Sequence, residues 1–347
     1  MEESKMRAEK IVLSEKRNVT LMVYTQDVEG EFGFTKRPAM LVLPGGGYAM
    51  CSDREADAVA LSYMQAGYQA FVLRYSVGGD KVWPQPLEDY ELAMEYIKGH
   101  AEELHVEKDH IAVVGFSAGG HLAGCAATMA KNKPVAAILV YPAVIKEVTD
   151  ICAIRNLPET HTAVDKKTCP CFLVAARDDT TVDIKNSLLF ELALAENGVP
   201  FESHIYSYGG HGFSTGEGWI VTNSVSERVP HWVADSIGWL GEIMGELTRE
   251  GFTEPALAIS QNPDDAPILA VGCSLKHVMA QEGRVQEILK PLYERMEAIA
   301  KERGFSYDRL LEAVGKSPIR ELMETCGMTQ EEIAETNRLL HGCVNVF

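Results

Sequence analysis

Residues 113–124, VVGFSAGGHLAG, set Ser117 between two glycines, behind an apolar run and ahead of a small-residue segment. A strand that enters a helix through this pattern makes a sharp turn. The serine hydroxyl stands exposed at its apex, above the unpaired N–H groups of the first helical turn. A serine hydroxyl is barely nucleophilic at neutral pH, so it needs a base to take its proton and a third group to hold that base. The candidate base is His211, in the Gly-Gly-His-Gly turn after the segment SHIYSY. Glycines on both sides permit a loop tight enough to bring the ring toward Ser117. The candidate acid is Asp179 or its neighbour Asp178, on the loop that follows FLVAAR. Whichever of the two is not the acid is expected to cap the helix starting near residue 183.

Attack on a carbonyl leaves a negative oxygen that also needs donors. The run AMLVL ends in PGGGY, residues 44–48, where consecutive glycines let backbone N–H groups approach a ligand closely. Gly46, or Gly45 or Gly47 beside it, is expected to share this task with the N–H of Ala118. Each such donor is worth roughly 3–4 kcal/mol in the transition state. Tyr48, Trp83 and Trp219 are candidates for the pocket wall, with packing or plain surface exposure as the competing reading. His121, one helical turn after Ser117, is expected to pack or cap against a neighbouring loop. Asp53-Arg54-Glu55 reads as a solvated helix N-terminus. A second reading lets Arg54 tie the glycine loop to the sheet.

The elements that must position these residues follow from the apolar pattern. Segments 39–43, 69–75, 110–115, 135–141, 171–176 and 202–207 read as strands, most of them near-continuously apolar, as expected of a mostly parallel sheet covered on both faces. Helices are expected at 53–66, with Ser52 as N-cap, and at 86–99, 117–130, 183–197 and about 226–249. VTLMVY at 19–24 alternates and reads as an antiparallel edge strand. A linker is expected over 251–266, rich in Gly, Pro, Asn and Asp. Beyond it the chain reads as all helix, at about 275–303, 307–315, 318–326 and 330–340. Ser317-Pro318 reads as a cap with proline at the first helical position, and Thr329 to Glu332 as a capping box.

The motifs PGGGYAMCSDREA, GYQAFVLRYSV, GFSAGGHLA, DDTTVDIKNS and GGHGFS, in this order over roughly residues 10–245, resemble the α/β-hydrolase esterases. The similarity is to the acetyl-xylan-esterase-like or BD-FAE-like branch. It implies an α/β-hydrolase fold over 1–250; the helical 267–347 beyond the linker shows no such resemblance and has no assigned role. It further implies a cofactor-free carboxylester hydrolase for small acyl groups, commonly acetyl or feruloyl esters on plant sugars. The resemblance puts the nucleophile at Ser117, the base at His211 and the oxyanion donors on 45–47 with Ala118. The family acid is followed by a Val-Pro step that aligns with Val182-Asp183. Asp183 replaces the usual proline, which leaves Asp179 and Asp178 both open. Pro44 stands where related lipases carry histidine. Only residues 142–169 lie where bulky-substrate lipases insert a large lid, so an open pocket for short acyl chains is expected.

Composition narrows the rest. The 347 residues carry a net charge of −18, which argues against nucleic acid and anionic membranes as partners. The charged N-terminus and the absence of a long apolar run lead to the expectation of a cytoplasmic protein without a membrane span. The eight cysteines show neither metal-ligand spacing nor a disulfide framework, and Cys169 and Cys171 read as packing residues. MTQEEIAETNRLL superficially resembles the opening of a helix-turn-helix, but it has no basic face. The C-terminal helices are expected to pack on the hydrolase part, shield the site mouth, or form a homodimer contact. Two rival functions remain at this point, a peptidase of prolyl-oligopeptidase type and a non-catalytic binding protein on the same scaffold.

Overall fold

The computed structural model describes residues 6–28, 33–79, 81–221, 224–253, 255, 264, 269–281, 283–340 and 343. They fall into two compact units, Met1–Ala256 and Leu257–Phe347.

The first unit is built on an eight-stranded sheet in the order β1-β2-β4-β3-β5-β6-β7-β8. Its strands are β1 (Arg7–Ser14), β2 (Val19–Thr25), β3 (Arg37–Leu43), β4 (Gln69–Arg74), β5 (Val106–Phe116), β6 (Ala137–Val140), β7 (Cys171–Ala176) and β8 (Phe201–Tyr206). From β4 to β8 every neighbouring pair is parallel, while β1–β2 and β2–β4 are antiparallel. Strand β2 is therefore antiparallel as expected, but it is not the edge. The edge is β1, RAEKIVLS, whose exposed and charged residues give little apolar signal.

Both faces of the central strands are apolar because successive side chains point to opposite sides. Leu41 and Leu43 of β3 join one core with α2 (Gln85–Gly99), α3 (Ala118–Met129) and α5 (Lys185–Glu196). Met40 and Val42 join the other core, with α1 (Asp57–Gln65) and α6 (His231–Met244). Helix–sheet–helix layering follows directly. A short helix, α4 (Lys146–Thr149), lies between β6 and β7. Cys169 and Cys171 are buried free thiols in the first core.

Several helix boundaries differ from the expectation. Asp53–Glu55 is a 3-10 turn ahead of α1, and Ser52 makes no side-chain cap bond. Helix α6 begins only after Pro230, which trims the expected 226–249 at both ends. The expected linker opens inside a small antiparallel pair, β9 (Leu247–Thr248) with β10 (Gly251–Phe252). Residues 254, 256–263, 265 and 266 of it lie outside the described residues.

The second unit holds α7 (Leu275–Met279), α8 (Arg284–Arg303), α9 (Tyr307–Val314), α10 (Ile319–Thr325) and α11 (Gln330–Leu340) around a core of its own. The single helix expected over 275–303 is split at Gly283, which adopts φ +66°. Pro318 stands one position earlier than expected, as the N-cap of α10. Thr329 and Glu332 do form a reciprocal box: the Thr329 N–H donates to Glu332 at 2.7 Å, and the Glu332 N–H to Thr329 Oγ1 at 3.2 Å.

Candidate active site

Strand β5 ends at Phe116 and α3 begins at Ala118, so Ser117 takes the whole turn at φ 53° and ψ −114°. This left-handed conformation is costly for a residue with a Cβ and persists only where neighbours enforce it. The Ser117 N–H donates to Val140 O at 3.0 Å, and its carbonyl accepts from His121 at 2.9 Å and Ala143 at 3.1 Å. The flanking glycines are steric requirements. A Cβ on Gly119 would lie 2.1 Å from Leu43 O, and one on Gly115 2.1 Å from Gly119 O.

The loop after β8 brings His211 onto this apex. Its Nε2 lies 2.9 Å from Ser117 Oγ, and its Nδ1 lies 2.6 Å from Asp179 Oδ2. A carboxylate accepts only, so Nδ1 carries the proton and Nε2 presents its lone pair to the serine hydroxyl. The other oxygen of Asp179, Oδ1, accepts the N–H groups of Thr181 and Val182 at 2.8 and 2.9 Å. Asp179 is thus held by its own loop as well as by the ring.

Asp178 does different work. Its Oδ1 accepts the N–H groups of Gly209 and Gly210 at 2.9 and 3.0 Å, and these bonds, that from Gly210 foremost, hold its carboxyl below the usual range. It clamps the histidine turn and does not cap α5, contrary to expectation. The N–H of Lys185 instead donates to Asp183 Oδ1 at 2.8 Å.

Above Ser117 opens a cavity of about 410 Å³. Met50, Ala143, Ile151 and Val182 give it apolar walls, with Ile151 supplied by the short segment between β6 and β7. Gly46 and Gly47 also line it, and among the described residues their N–H groups and that of Ala118 have no protein partner. Gly45 differs from the expectation, because its N–H donates to Glu55 Oε2 at 2.8 Å and is not available to a ligand.

Glu55 is the site residue that sequence reasoning missed. It is only 4% exposed, not part of a solvated helix start. Besides Gly45 it accepts the Tyr141 hydroxyl at 2.7 Å, and that hydroxyl accepts the N–H of Ser214 at 2.9 Å. One carboxylate thereby joins the glycine loop, the end of β6 and the histidine loop. Burial pushes the Glu55 pKa up, while the Tyr141 and Gly45 donors pull it back. Its only sequence signal is an acid two residues before a buried helix face. Arg54 does not tie the loop to the sheet either. Arg74 does so, donating to Cys51 O at 3.2 Å and to Asp53 at 2.7 Å, while Arg54 lines the cavity.

None of the three expected wall aromatics is among the cavity's lining residues. Tyr48 is fully buried, and its hydroxyl meets His121 Nδ1 at 2.8 Å. Trp83 packs its ring edge-on against His121 at 5.8 Å. Trp219 is 77% exposed. His121 donates from Nε2 to Pro158 O at 2.8 Å, so Nδ1 accepts from Tyr48, and burial pulls its pKa down to about 4. It belongs to the packing around a neighbouring loop, as expected.

The BD-FAE family model matches residues 31–157. Endo-1,4-beta-xylanase B of Butyrivibrio fibrisolvens is 31% identical over 208 residues, 52% of this chain and 33% of that protein. Acetylxylan esterase of Xylanibacter ruminicola is 24% identical over 217 residues, 56% of this chain and 45% of that protein. The chain thus spans less than half the length of these two relatives. Among solved structures, MGS-M1, an alpha/beta hydrolase enzyme from a Medee basin deep-sea metagenome library, superposes with a TM-score of 0.63 at 40% identity. That match covers 69% of this chain and 98% of MGS-M1. With this likeness added to the parallel sheet and the serine turn, the chain belongs to the α/β-hydrolase family and resembles its esterases.

Proposed function

We propose that the protein is a serine carboxylesterase for short-chain acyl esters, acetyl groups on sugars among them. One observation carries the reading. Asp179, His211 and Ser117 form an unbroken line of hydrogen bonds, 2.6 and 2.9 Å, that ends in a cavity with free backbone donors.

In this mechanism His211 Nε2 takes the Ser117 proton as Oγ bonds to the ester carbonyl carbon. The carbonyl π pair moves onto oxygen, where the N–H groups of Ala118 and of Gly46 or Gly47 hold it. Collapse expels the alcohol, protonated by His211, and leaves an acyl-serine. Water, deprotonated by the same ring, then releases the acid. Asp179 keeps Nδ1 protonated and stabilises the imidazolium. We assign this chemistry to residues 1–250, the glycine loop and the hydrogen-bonded line all lying within them.

Small acyl groups are favoured by the modest volume, bounded by Met50, Ala143, Ile151 and Val182. An acetylated sugar is favoured by the relative named acetylxylan esterase. The test is turnover of p-nitrophenyl esters of rising chain length, followed by acetylated xylo-oligosaccharides. The expected result is a maximum at acetyl to butyryl, together with release of acetate from the oligosaccharide. Cleavage of aminoacyl nitroanilides without any ester turnover would contradict it.

A further inference from the structure

The cavity over Ser117 is lined by one arginine, held in no close ion pair among the described residues. Arg54 lines it, and its guanidinium makes no side-chain hydrogen bond or ion pair among the described residues. Both adjacent acids are engaged elsewhere. Asp53 pairs with Arg74 at 2.7 Å, and Glu55 is buried against Gly45 and Tyr141. The Arg54 charge acts on the buried Glu55 carboxylate without a direct ion pair between them, which leaves its N–H donors open to a ligand. The remaining walls carry no Lys or second Arg and one acid, Glu55, whose oxygens are taken by Gly45 and Tyr141.

Position indicates which part of a substrate the guanidinium meets. One of its terminal nitrogens stands 3.5 Å from where a Cβ on Gly212 would be, beside His211. The ring must protonate the departing oxygen, so the alcohol portion of the ester leaves past His211 and Gly212. A planar guanidinium there offers a forked set of donors that suits a carboxylate. We infer that Arg54 selects esters whose alcohol portion carries a carboxylate. The inference rests on the esterase reading and adds a substrate class to it.

The probes are 4-acetoxybenzoate and 4-acetoxybenzamide, acetyl esters that differ in the charge of the departing phenol. The readout is the ratio of kcat/KM for the acid to that for the amide, a quantity in which any general loss of folded enzyme cancels. Arg54→Gln is expected to lower the ratio about tenfold, the size of one charge-assisted hydrogen bond. Arg54→Lys, which keeps the charge but loses the fork, should fall between the wild type and Arg54→Gln. Added salt should lower the wild-type ratio. If Arg54→Gln reduces both rates together and leaves the ratio unchanged, Arg54 only offsets the charge of Glu55 and the inference is overturned. Turnover of neither ester by the wild type removes the esterase reading, and this inference with it.

Discussion

Glu55 accepts the N–H of Gly45 at 2.8 Å, and through that bond a buried carboxylate fixes the backbone beside Ser117. A Cβ on Gly45 would lie 2.6 Å from the same oxygen and 3.0 Å from Ser117 Cβ, so loop, carboxylate and serine are in contact. The partner oxygen holds Tyr141, whose hydroxyl in turn receives Ser214 from the histidine loop. The glycine loop and the histidine loop are thus braced by one side chain.

Glu55→Gln tests this brace. A carboxylate accepts at both oxygens, whereas an amide offers one acceptor and must turn its NH2 toward Gly45 or Tyr141. One buried donor is left unsatisfied, at a cost of about 1–3 kcal/mol. Urea unfolding should show a loss of that size, and kcat should fall more than KM rises. An unchanged unfolding midpoint would show that the Gly45 N–H does not depend on the carboxylate.

Asp179 and Asp178 are neighbours with separable tasks, and their asparagine variants should differ. Asp179→Asn presents an amide to His211 Nδ1 and allows the wrong tautomer, so kcat should drop by about 10³–10⁴. Asp178→Asn keeps an oxygen for Gly209 and Gly210 and loses only its charge, so a loss within about tenfold is expected. Steady-state kinetics on p-nitrophenyl acetate separates them. Equal losses would contradict the division of labour.

Much of this was legible in the residues because it depends on local pattern. G-x-S-x-G after an apolar strand fixes a turn, and Gly-Gly-His-Gly after the last strand fixes a loop. Both are short-range constraints. What escaped depends on distant contacts. Asp178 and Asp179 are chemically identical in sequence, and only the path of residues 209–211 distinguishes them. Glu55 looks like a solvated acid until Tyr141, 86 positions away, is brought against it. Aromatic content misled for the same reason: Tyr48 follows the glycine run and Trp83 comes 36 positions after Gly47, yet the fold turns both rings onto His121. Strand β1 escapes the apolar pattern because it lies at an exposed edge, with only Ile11 and Leu13 packed against the core.

His121 gives the fold an acid-sensitive point. Burial pulls its pKa from 6.5 down to about 4, so the unfolded chain binds a proton that the folded chain refuses. Its contribution to stability is therefore complete above about pH 6.5 and is lost as pH falls toward and through 4. The full loss is roughly 3 kcal/mol. His121→Gln keeps a donor for Pro158 O and an acceptor for Tyr48 but does not titrate. Urea unfolding at pH 7 and pH 4.5 should show a steeper decline for the wild type than for this variant. Parallel declines would remove His121 as the cause.

The most direct test of the central claim is covalent. Treatment with a fluorophosphonate, followed by peptide mass spectrometry, should find one adduct on Ser117, with loss of esterase activity in proportion to labelling. Ser117→Ala should take up no label and lose turnover by several orders of magnitude. An unlabelled Ser117 in a protein that still hydrolyses p-nitrophenyl acetate, or near-full activity in Ser117→Ala, would contradict the account.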